Sequence, residues 1–234
     1  MVMLAIGVLF VTNSHGYCDI GEKQIGRGYI VLETNHTDLR ELNSAFRKKG
    51  YSSLPETIYG IGAGGYSSYK CGILWEGYAS VLVPRSRNST IGDARYTTSL
   101  NGTYGVYNIG YPVWSKNGLT IFPLAGIGIG GLWLRIKDRE KRPFDDILEN
   151  PLESMKETTI ETKGIFIFNF AIGIEKSFRH REEKTKDRLL MAGIRLGYRY
   201  CPGDHEWSDI SGGPDTSFTG PYCLFLFGGG YSRK

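Results

Sequence analysis

The fold is decided by the stretch Phe166-Ile167-Phe168-Asn169-Phe170-Ala171-Ile172-Gly173-Ile174-Glu175. Large apolar residues occupy every even position, whereas the odd positions are mostly small, polar or charged. Successive side chains of a β-strand point to opposite faces, so this strand has one apolar face and one mixed face. The next segment repeats the pattern: Leu190, Ala192, Ile194, Leu196, Tyr198 and Tyr200 alternate with Met191, Gly193, Arg195, Gly197 and Arg199.

The charged members of the mixed face decide between a soluble and a membrane protein. Burying Glu175, Arg195 and Arg199 in the core of a soluble sandwich would cost several kcal/mol each unless they were paired. A closed barrel removes this conflict, because its lumen is polar and its apolar face contacts lipid. The pattern therefore predicts an all-β fold, an eight-stranded antiparallel transmembrane β-barrel. We expect Phe166, Phe168, Phe170, Ile172, Leu190, Ile194 and Leu196 on its outer wall.

The remaining strand signals alternate with short and long connections. Short turns are predicted near residues 66–70, 115–118 and 179–187, and longer loops near 34–56, 84–94, 136–163 and 202–216. Asn117-Gly118 in the second turn is a strong hairpin signal. This asymmetry is typical of outer-membrane barrels. The strand ends carry residues suited to an aromatic girdle: Trp75, Tyr111, Trp114, Trp133, Tyr200 and Tyr222.

One segment departs from the β pattern. Asp38 and Glu41 have the spacing of a capping box, and Gly50 stands where a glycine follows a helix end. Leu39, Leu42 and Phe46 share one face. We therefore predict a short amphipathic helix over residues 38–49, after the first strand. Its apolar face could cover the barrel mouth, lie at the lipid interface or bind a partner.

Composition narrows the class of protein. The chain has 234 residues, which suits one domain, and its net charge of +4 comes from dispersed basic residues, so no nucleic-acid partner is predicted. Residues 1–16 hold an apolar run followed by Ser14 and Gly16, which could be a signal segment and its cleavage site. Residues 17–234 would then form the barrel domain.

The cysteines indicate neither a metal site nor a favoured disulfide. Cys18, Cys71, Cys201 and Cys223 show no zinc-binding spacing, and no cofactor is predicted. Cys201 and Cys223 flank one loop, but the strand alternation points them to opposite faces. A disulfide between them is possible and not favoured.

Three further motifs carry a resemblance to a known group of proteins: Gly193-Ile194-Arg195-Leu196-Gly197-Tyr198-Arg199-Tyr200, Ser211-Gly212-Gly213-Pro214-Asp215 and Thr219-Gly220-Pro221-Tyr222. The chain resembles the small outer-membrane β-barrels of the opacity and outer-membrane-protein-A type. The resemblance implies an outer-membrane location and no catalytic chemistry. The chain departs from the group by its helix and by Ser232-Arg233-Lys234 after the last aromatic residue.

Two sets of residues are candidate functional sites. The first is a polar network expected inside the lumen, serving either as a structural filling or as a gate: Glu76, Asn108, Asn169, Glu175, Arg195 and Arg199. The second lies in the loop after residue 201, where binding residues are expected: Asp204, His205, Trp207 and Asp209. Because His, Ser and acids are close together there, a catalytic arrangement is an alternative.

The resulting functional prediction is a monomeric, non-enzymatic, porin-like barrel in the bacterial outer membrane. It would contact outer-membrane lipid, and polar side chains would fill its lumen. Its role would be either to anchor the envelope or to present its loops to an extracellular ligand or protein. Two alternatives are an outer-membrane enzyme that modifies lipid through residues 202–209 and a soluble barrel that binds a small apolar ligand.

Overall fold

The computed structural model describes residues 25–68, 72–138, 157–162, 164–181, 186–203, 205, 207–208 and 212–233. The described part contains one helix, α1 (Arg40–Lys48), and these strands: β1 (Ile25–His36), β2 (Thr57–Ser68), β3 (Leu74–Ile91), β4 (Ala94–Gly110), β5 (Trp114–Lys116), β6 (Leu119–Asp138), β7 (Glu157–Glu161), β8 (Ile165–Arg181), β9 (Lys186–Tyr200) and β10 (Gly220–Arg233). Within this part, no helix is long and apolar enough to cross a membrane.

Eight of these strands close into a barrel. The ring runs β4-β3-β2-β1-β10-β9-β8-β6, and β4 pairs with β6 to complete it. Every pairing in the ring is antiparallel. The two short strands, β5 and β7, pair with β6 outside the ring. The prediction of an eight-stranded antiparallel barrel with one short helix after the first strand is confirmed.

The faces of the barrel are distributed as in a membrane protein. All seven predicted outer-wall residues are exposed, with Phe170 at 54%, Ile172 at 57% and Leu196 at 54%. Arg195 and Arg199 are exposed by only 1% each, on the inner side of the wall. This distribution is the reverse of that in a soluble barrel, which would place the apolar set inside and the arginines outside.

The apolar belt has the height of a bilayer. On β8, exposed aromatic residues run from Phe166 to Phe178, 12 residues apart. At about 3.3 Å per residue and a tilt near 40°, this segment rises roughly 30 Å, close to the thickness of a hydrocarbon core. The belt is therefore long enough to span a membrane.

The predicted aromatic girdle is correct at most positions and wrong at Tyr222. Tyr111, Trp114 and Tyr200 are exposed, whereas Trp75 and Trp133 are half-buried. Tyr222 is only 6% exposed. It lies on the inner face, where the guanidinium of Arg199 stacks over its ring at 4.1 Å. A buried cation with an aromatic partner explains why this tyrosine points inward.

Two loops are shorter than predicted. Residues 84–94 were expected to form a loop, yet β3 and β4 continue to Ile91 and Ala94, and only Gly92 and Asp93 form the turn. The register shifts between Leu82 and Arg85. Beyond the apolar belt both faces of a hairpin can contact water, so the sequence loses its apolar alternation although the pairing continues. For the same reason β7 was missed inside the predicted loop 136–163.

The helix begins differently from its prediction and ends as predicted. Its N-cap is Leu39, which makes no side-chain cap, so the capping box of Asp38 and Glu41 is wrong. Asp38 instead accepts a hydrogen bond from the backbone N of Arg40 at 3.1 Å. At the other end Gly50 has a φ of 82°. Its N–H donates to Arg47 O at 3.1 Å, and the N–H of Tyr51 donates to Phe46 O at 2.9 Å, which defines a Schellman motif.

The membrane-facing wall can be tested with a single arginine. Leu196→Arg would place a cation in the middle of the apolar belt, and we expect it to lower the free energy of unfolding in lipid vesicles by about 2–4 kcal/mol. Val113→Arg, at an exposed position in the connection before β5, is the control and should cost about 0–1 kcal/mol. Urea titration of both refolded variants measures the difference. Equal costs would contradict a lipid-facing wall.

Candidate functional site

The interior of the barrel contains a column of charged and polar side chains. Among the described residues it holds three arginines and three glutamates, so the formal charges cancel: Arg27, Arg195, Arg199, Glu33, Glu76 and Glu175. Each of these side chains is less than a tenth exposed. Charges buried to this degree are tolerated when they are paired and hydrogen-bonded.

The part of the column near the short turns is built around Arg195. Its Nη2 lies 3.2 Å from Glu76 Oε1 and 3.6 Å from Glu175 Oε2. Arg27 pairs with Glu175 from the other side, and the hydroxyl of Tyr66 donates to Glu175 Oε1 at 2.6 Å. Arg195 therefore bridges two carboxylates that would otherwise repel each other.

Aromatic contacts complete this cluster. The hydroxyl of Tyr29 donates to Glu76 Oε1 at 2.9 Å. The guanidinium of Arg195 lies 4.4 Å from the centre of the Phe122 ring. Charged atoms that do not face a carboxylate are thus partly covered by an aromatic face.

Arg199 forms a second cluster farther toward the long loops. It donates hydrogen bonds to Asn35 and to the hydroxyls of Tyr104 and Tyr78, and its Nη2 lies 3.5 Å from Glu33 Oε2. Tyr104 in turn donates to Glu33. The guanidinium lies 4.1 Å from the ring centre of Tyr104. Arg199 is therefore surrounded by acceptors and aromatic rings.

Two asparagines extend the first cluster toward the second. Asn108 Nδ2 donates to Glu76 Oε2 at 3.0 Å, and Asn169 Nδ2 donates to Asn108 Oδ1 at 2.8 Å. Hydrogen bonds and one longer ion pair therefore connect five of the six proposed lumen residues in the structure: Glu76, Asn108, Asn169, Glu175 and Arg195. Arg199 lies in the same interior within the other cluster.

Several interior partners were missed from the sequence: Arg27, Tyr29, Glu33, Asn35, Tyr66, Tyr78, Tyr104 and Tyr222. A signal for the first four was present, because they occupy odd positions of β1 beside Val31, which is fully buried. Their odd numbers assign all four residues to one face of β1. Only the neighbouring strands show that this face points inward.

A glycine on the inner face provides room for the column. A Cβ added to Gly173 would lie 2.5 Å from Phe122 Cε2 and 3.0 Å from Arg195 Nη1. Such distances are too short for ordinary packing, so the absence of a side chain there lets the Arg195–Phe122 contact form. The high glycine content is therefore connected with the narrow interior.

The end of the barrel near the long loops is closed by a cap, defined here as α1, residues 51–56 and residues 212–219. Leu39, Leu42 and Phe46 are 0%, 1% and 6% exposed. Asn43 exchanges two hydrogen bonds with the backbone of Leu54, at 3.0 Å and 2.7 Å. The apolar face of the helix is thus buried in the protein core, which favours the position over the mouth and not the lipid interface.

The proposed binding loop supports this cap. His205 Nδ1 lies 3.0 Å from Asp215 Oδ1, and Trp207 Nε1 donates to Pro214 O at 2.9 Å. The N–H of Asp215 donates to Glu41 Oε2 at 3.1 Å, which ties residues 212–219 to α1. His205 and Trp207 are only 9% and 3% exposed.

The other two predicted residues of this loop, Asp204 and Asp209, lie outside the described residues. His205 Nε2 has no hydrogen-bond partner in the described part of the chain. Among the described residues, no serine or threonine hydroxyl is therefore placed for this imidazole to activate.

The remaining surface chemistry is ordinary. Hydrogen bonds from the Arg40 guanidinium lower the pKa of Asp38. Cys201 and Cys223 are free thiols. Across the ranges that the structure describes, no group of three or more His, Cys, Asp or Glu side chains could hold a metal ion.

The closed ring, the apolar outer wall and the charged interior define a small transmembrane β-barrel of the outer-membrane type. Among solved structures, the chain is similar to Ail, the attachment invasion locus protein of Yersinia pestis, with 8% identity, a TM-score of 0.37 and coverage of 91% of this chain and 99% of Ail. It is also similar to Neisserial surface protein A, with 8% identity, a TM-score of 0.34 and coverage of 91% and 96%.

Another structure of Ail, in complex with the heparin analogue sucrose octasulfate, matches with 8% identity, a TM-score of 0.34 and coverage of 91% of this chain and 99% of Ail. No protein-family model matches the chain, and no curated protein matches it.

Removing the central arginine tests the energetics of the column. Arg195→Ala would leave Glu76 without its cation and Glu175 with Arg27 alone, so we expect a loss of about 3–5 kcal/mol in the free energy of unfolding. The double variant Arg195→Met/Glu76→Gln removes a charge of each sign and should cost less. Arg87→Ala, an exposed arginine, is the control. Urea titration in vesicles compares the three, and a negligible cost of Arg195→Ala would contradict the described pairing.

The role of the inner glycine gives a second prediction. Gly173→Ala should lower the free energy of unfolding by about 1–3 kcal/mol, because the new methyl group displaces Phe122 and Arg195. Gly131→Ala is the matched control, since a Cβ there meets nothing within 4 Å. If both variants were equally stable, the interior would be less tightly packed than described.

Proposed function

We propose that this chain is a non-enzymatic integral protein of the bacterial outer membrane, with a lumen plugged by side chains and a cap that binds a partner outside the cell. The observation that carries the proposal is the charge-balanced column inside an apolar outer wall. A soluble barrel would instead place its apolar side chains in the core and its charged side chains on the surface.

The proposal that the lumen is plugged rests on the width of the barrel and on the side chains inside it. An eight-stranded barrel is just wide enough for side chains to fill its interior. Here the filling side chains include large ones, with Arg195 packed on Phe122 and Arg199 between Tyr104 and Tyr222. A hydrated ion would have to separate these contacts and expose unpaired charges, which is costly.

The cap supports the binding role because it is fixed in place. Its apolar residues are buried, and hydrogen bonds connect residues 212–219 to α1, to His205 and to Trp207. A preorganised surface loses little conformational entropy when a partner binds. Since His205 and Trp207 are buried, their proposed role is to hold the loop, and exposed residues of the cap would contact the ligand.

A lipid-modifying enzyme using residues 202–209 is the alternative of a different class. Asp215 orients the imidazole of His205, as an acid does in a hydrolase. A nucleophile beside Nε2 would also be needed, and none is present among the described residues. The soluble barrel binding an apolar ligand has less support, because the interior is polar and filled.

The same features support a monomer surrounded by lipid. β1 and β10 pair along their lengths, so the ring leaves no open strand edge for a second copy. The membrane location is tested by fractionation and by gel mobility. We expect the protein to require detergent and to migrate differently before and after boiling, whereas solubility without detergent would contradict the proposal.

Planar bilayers test the plug. We expect the wild-type protein to show almost no conductance, because paired side chains fill the lumen at the levels of Arg195 and Arg199. Arg195→Ala/Arg199→Ala should leave carboxylates unpaired and allow a small leak, while Arg87→Ala should behave as the wild type. A large, steady, ion-selective current from the wild-type protein would show that it is a channel.

A further inference from the structure

The cap end of the barrel carries a cluster of exposed basic residues that the proposed function does not use. This cluster, called the basic ridge, joins the C-terminal end of α1 to the outer part of β3: Arg47, Lys48, Lys49, Arg85 and Arg87. All five residues are exposed.

The two parts of the ridge are neighbours in space. Residues directly after α1 contact β3 and β4: the N–H of Ser52 donates to Ser89 Oγ at 2.8 Å, and its hydroxyl donates to Asn88 O at 3.0 Å. The rings of Tyr51 and Tyr96 meet with centroids 5.5 Å apart. The end of the helix is therefore held beside the hairpin that carries Arg85 and Arg87.

Among the described residues, the ridge cations have no carboxylate partners. Two other exposed arginines of this end are paired, since Arg40 lies 2.5 Å from Asp38 and Arg135 lies 2.7 Å from Glu157. In the described part of the chain, none of the five ridge residues forms an ion pair with a carboxylate. Their charges repel one another and are open to an external anion.

The position of the ridge indicates which kind of anion it would bind. The guanidinium of Arg85 lies 5.0 Å from the ring centre of Tyr59, which is 47% exposed on the outer wall at the edge of the apolar belt. Aromatic residues at such an edge mark the level of lipid headgroups. From Arg85 the strand continues to Ile91, a rise of roughly 15 Å at about 3.3 Å per residue and a tilt near 40°.

We propose that the basic ridge binds the phosphate groups of an anionic glycolipid in the leaflet around the barrel. A phosphorylated saccharide headgroup would meet Arg85 at the membrane surface and the helix end farther out. A lipid fits better than a soluble polyanion, because the ridge starts at the wall of the barrel, beside the acyl chains. The inference rests on the proposed membrane location and on the cap end facing that leaflet.

Binding of a phosphorylated glycolipid tests the proposal. The purified barrel in neutral detergent is titrated with a bisphosphorylated, acylated diglucosamine and, separately, with the same lipid without its phosphates. Each cation near an anionic surface changes affinity about fivefold, so Lys48→Gln/Arg85→Gln/Arg87→Gln should weaken binding on the order of 100-fold. Added salt should weaken binding to the wild-type protein.

A second triple variant is the matched control. Lys116→Gln/Arg135→Gln/Lys176→Gln also removes three cations, but Arg135 lies outside the ridge and Lys116 and Lys176 lie at the opposite end of the barrel. It should bind the bisphosphorylated lipid within about threefold of the wild-type protein, since long-range charge is largely screened. Equal weakening by both variants would reduce the effect to net charge and overturn the proposal.

Two further results would also overturn it. One is equal affinity for the lipids with and without phosphate. The other is tighter binding of soluble inorganic polyphosphate than of the phosphorylated lipid, which would point to a polymer outside the membrane. Gel mobility of the ridge variant separates this inference from the proposed function. If the barrel folds in lipid but binds the lipids with and without phosphate equally well, only the inference about the ridge is refuted.

Discussion

The rest of the structure depends on closure of the sheet. β1 and β10, the first and last described strands, pair from Ile25 with Ser232 to Asn35 with Tyr222, and this seam leaves no strand of the ring without a neighbour. In lipid an unpaired backbone amide costs several kcal/mol, so an open edge is not tolerated. Closure with eight strands then fixes a narrow lumen, whose residues must pack against each other as well as against the wall.

Within this lumen, the buried charges also help to select the pairing of the strands. A slip of β9 by one residue against its neighbours would turn every side chain to the opposite face. Arg195 and Arg199 would then face lipid, and Leu196 and Tyr198 would face Glu76 and Glu175. Both changes are unfavourable, since cations in lipid and unpaired carboxylates in a closed interior each cost several kcal/mol. The column therefore disfavours alternative registers, whatever its net contribution to stability.

The sequence predicts the parts of the structure that follow from alternation. The outer wall at Phe170, Ile172 and Leu196 was predicted correctly, because a period of two leaves only one choice of face once Arg195 must be inside. Tyr222 was misassigned because an aromatic residue at a strand end suits both a girdle and the interior. Only its neighbour Arg199, on the adjacent strand, decides between them. Such cross-strand contacts are not visible in a single sequence.

Polar segments were harder to predict than apolar ones. Residues 85–91 have no apolar alternation, yet they pair with β4 as a continuous hairpin. Outside the membrane a strand needs hydrogen-bonding partners and no particular face, so composition does not distinguish it from a loop. The capping box failed for a related reason. Glu41 is held by the N–H of Asp215, a contact between residues 174 positions apart in sequence.

The barrel and its cap follow opposite rules of burial. In the membrane the apolar side chains are outside and the charges inside; in the cap Leu39, Leu42 and Phe46 form an ordinary buried core. Phe218 lies at the junction, with its ring 5.3 Å from that of Tyr104, which belongs to the Arg199 cluster. The buried core of the cap thus continues into the aromatic rings that surround Arg199.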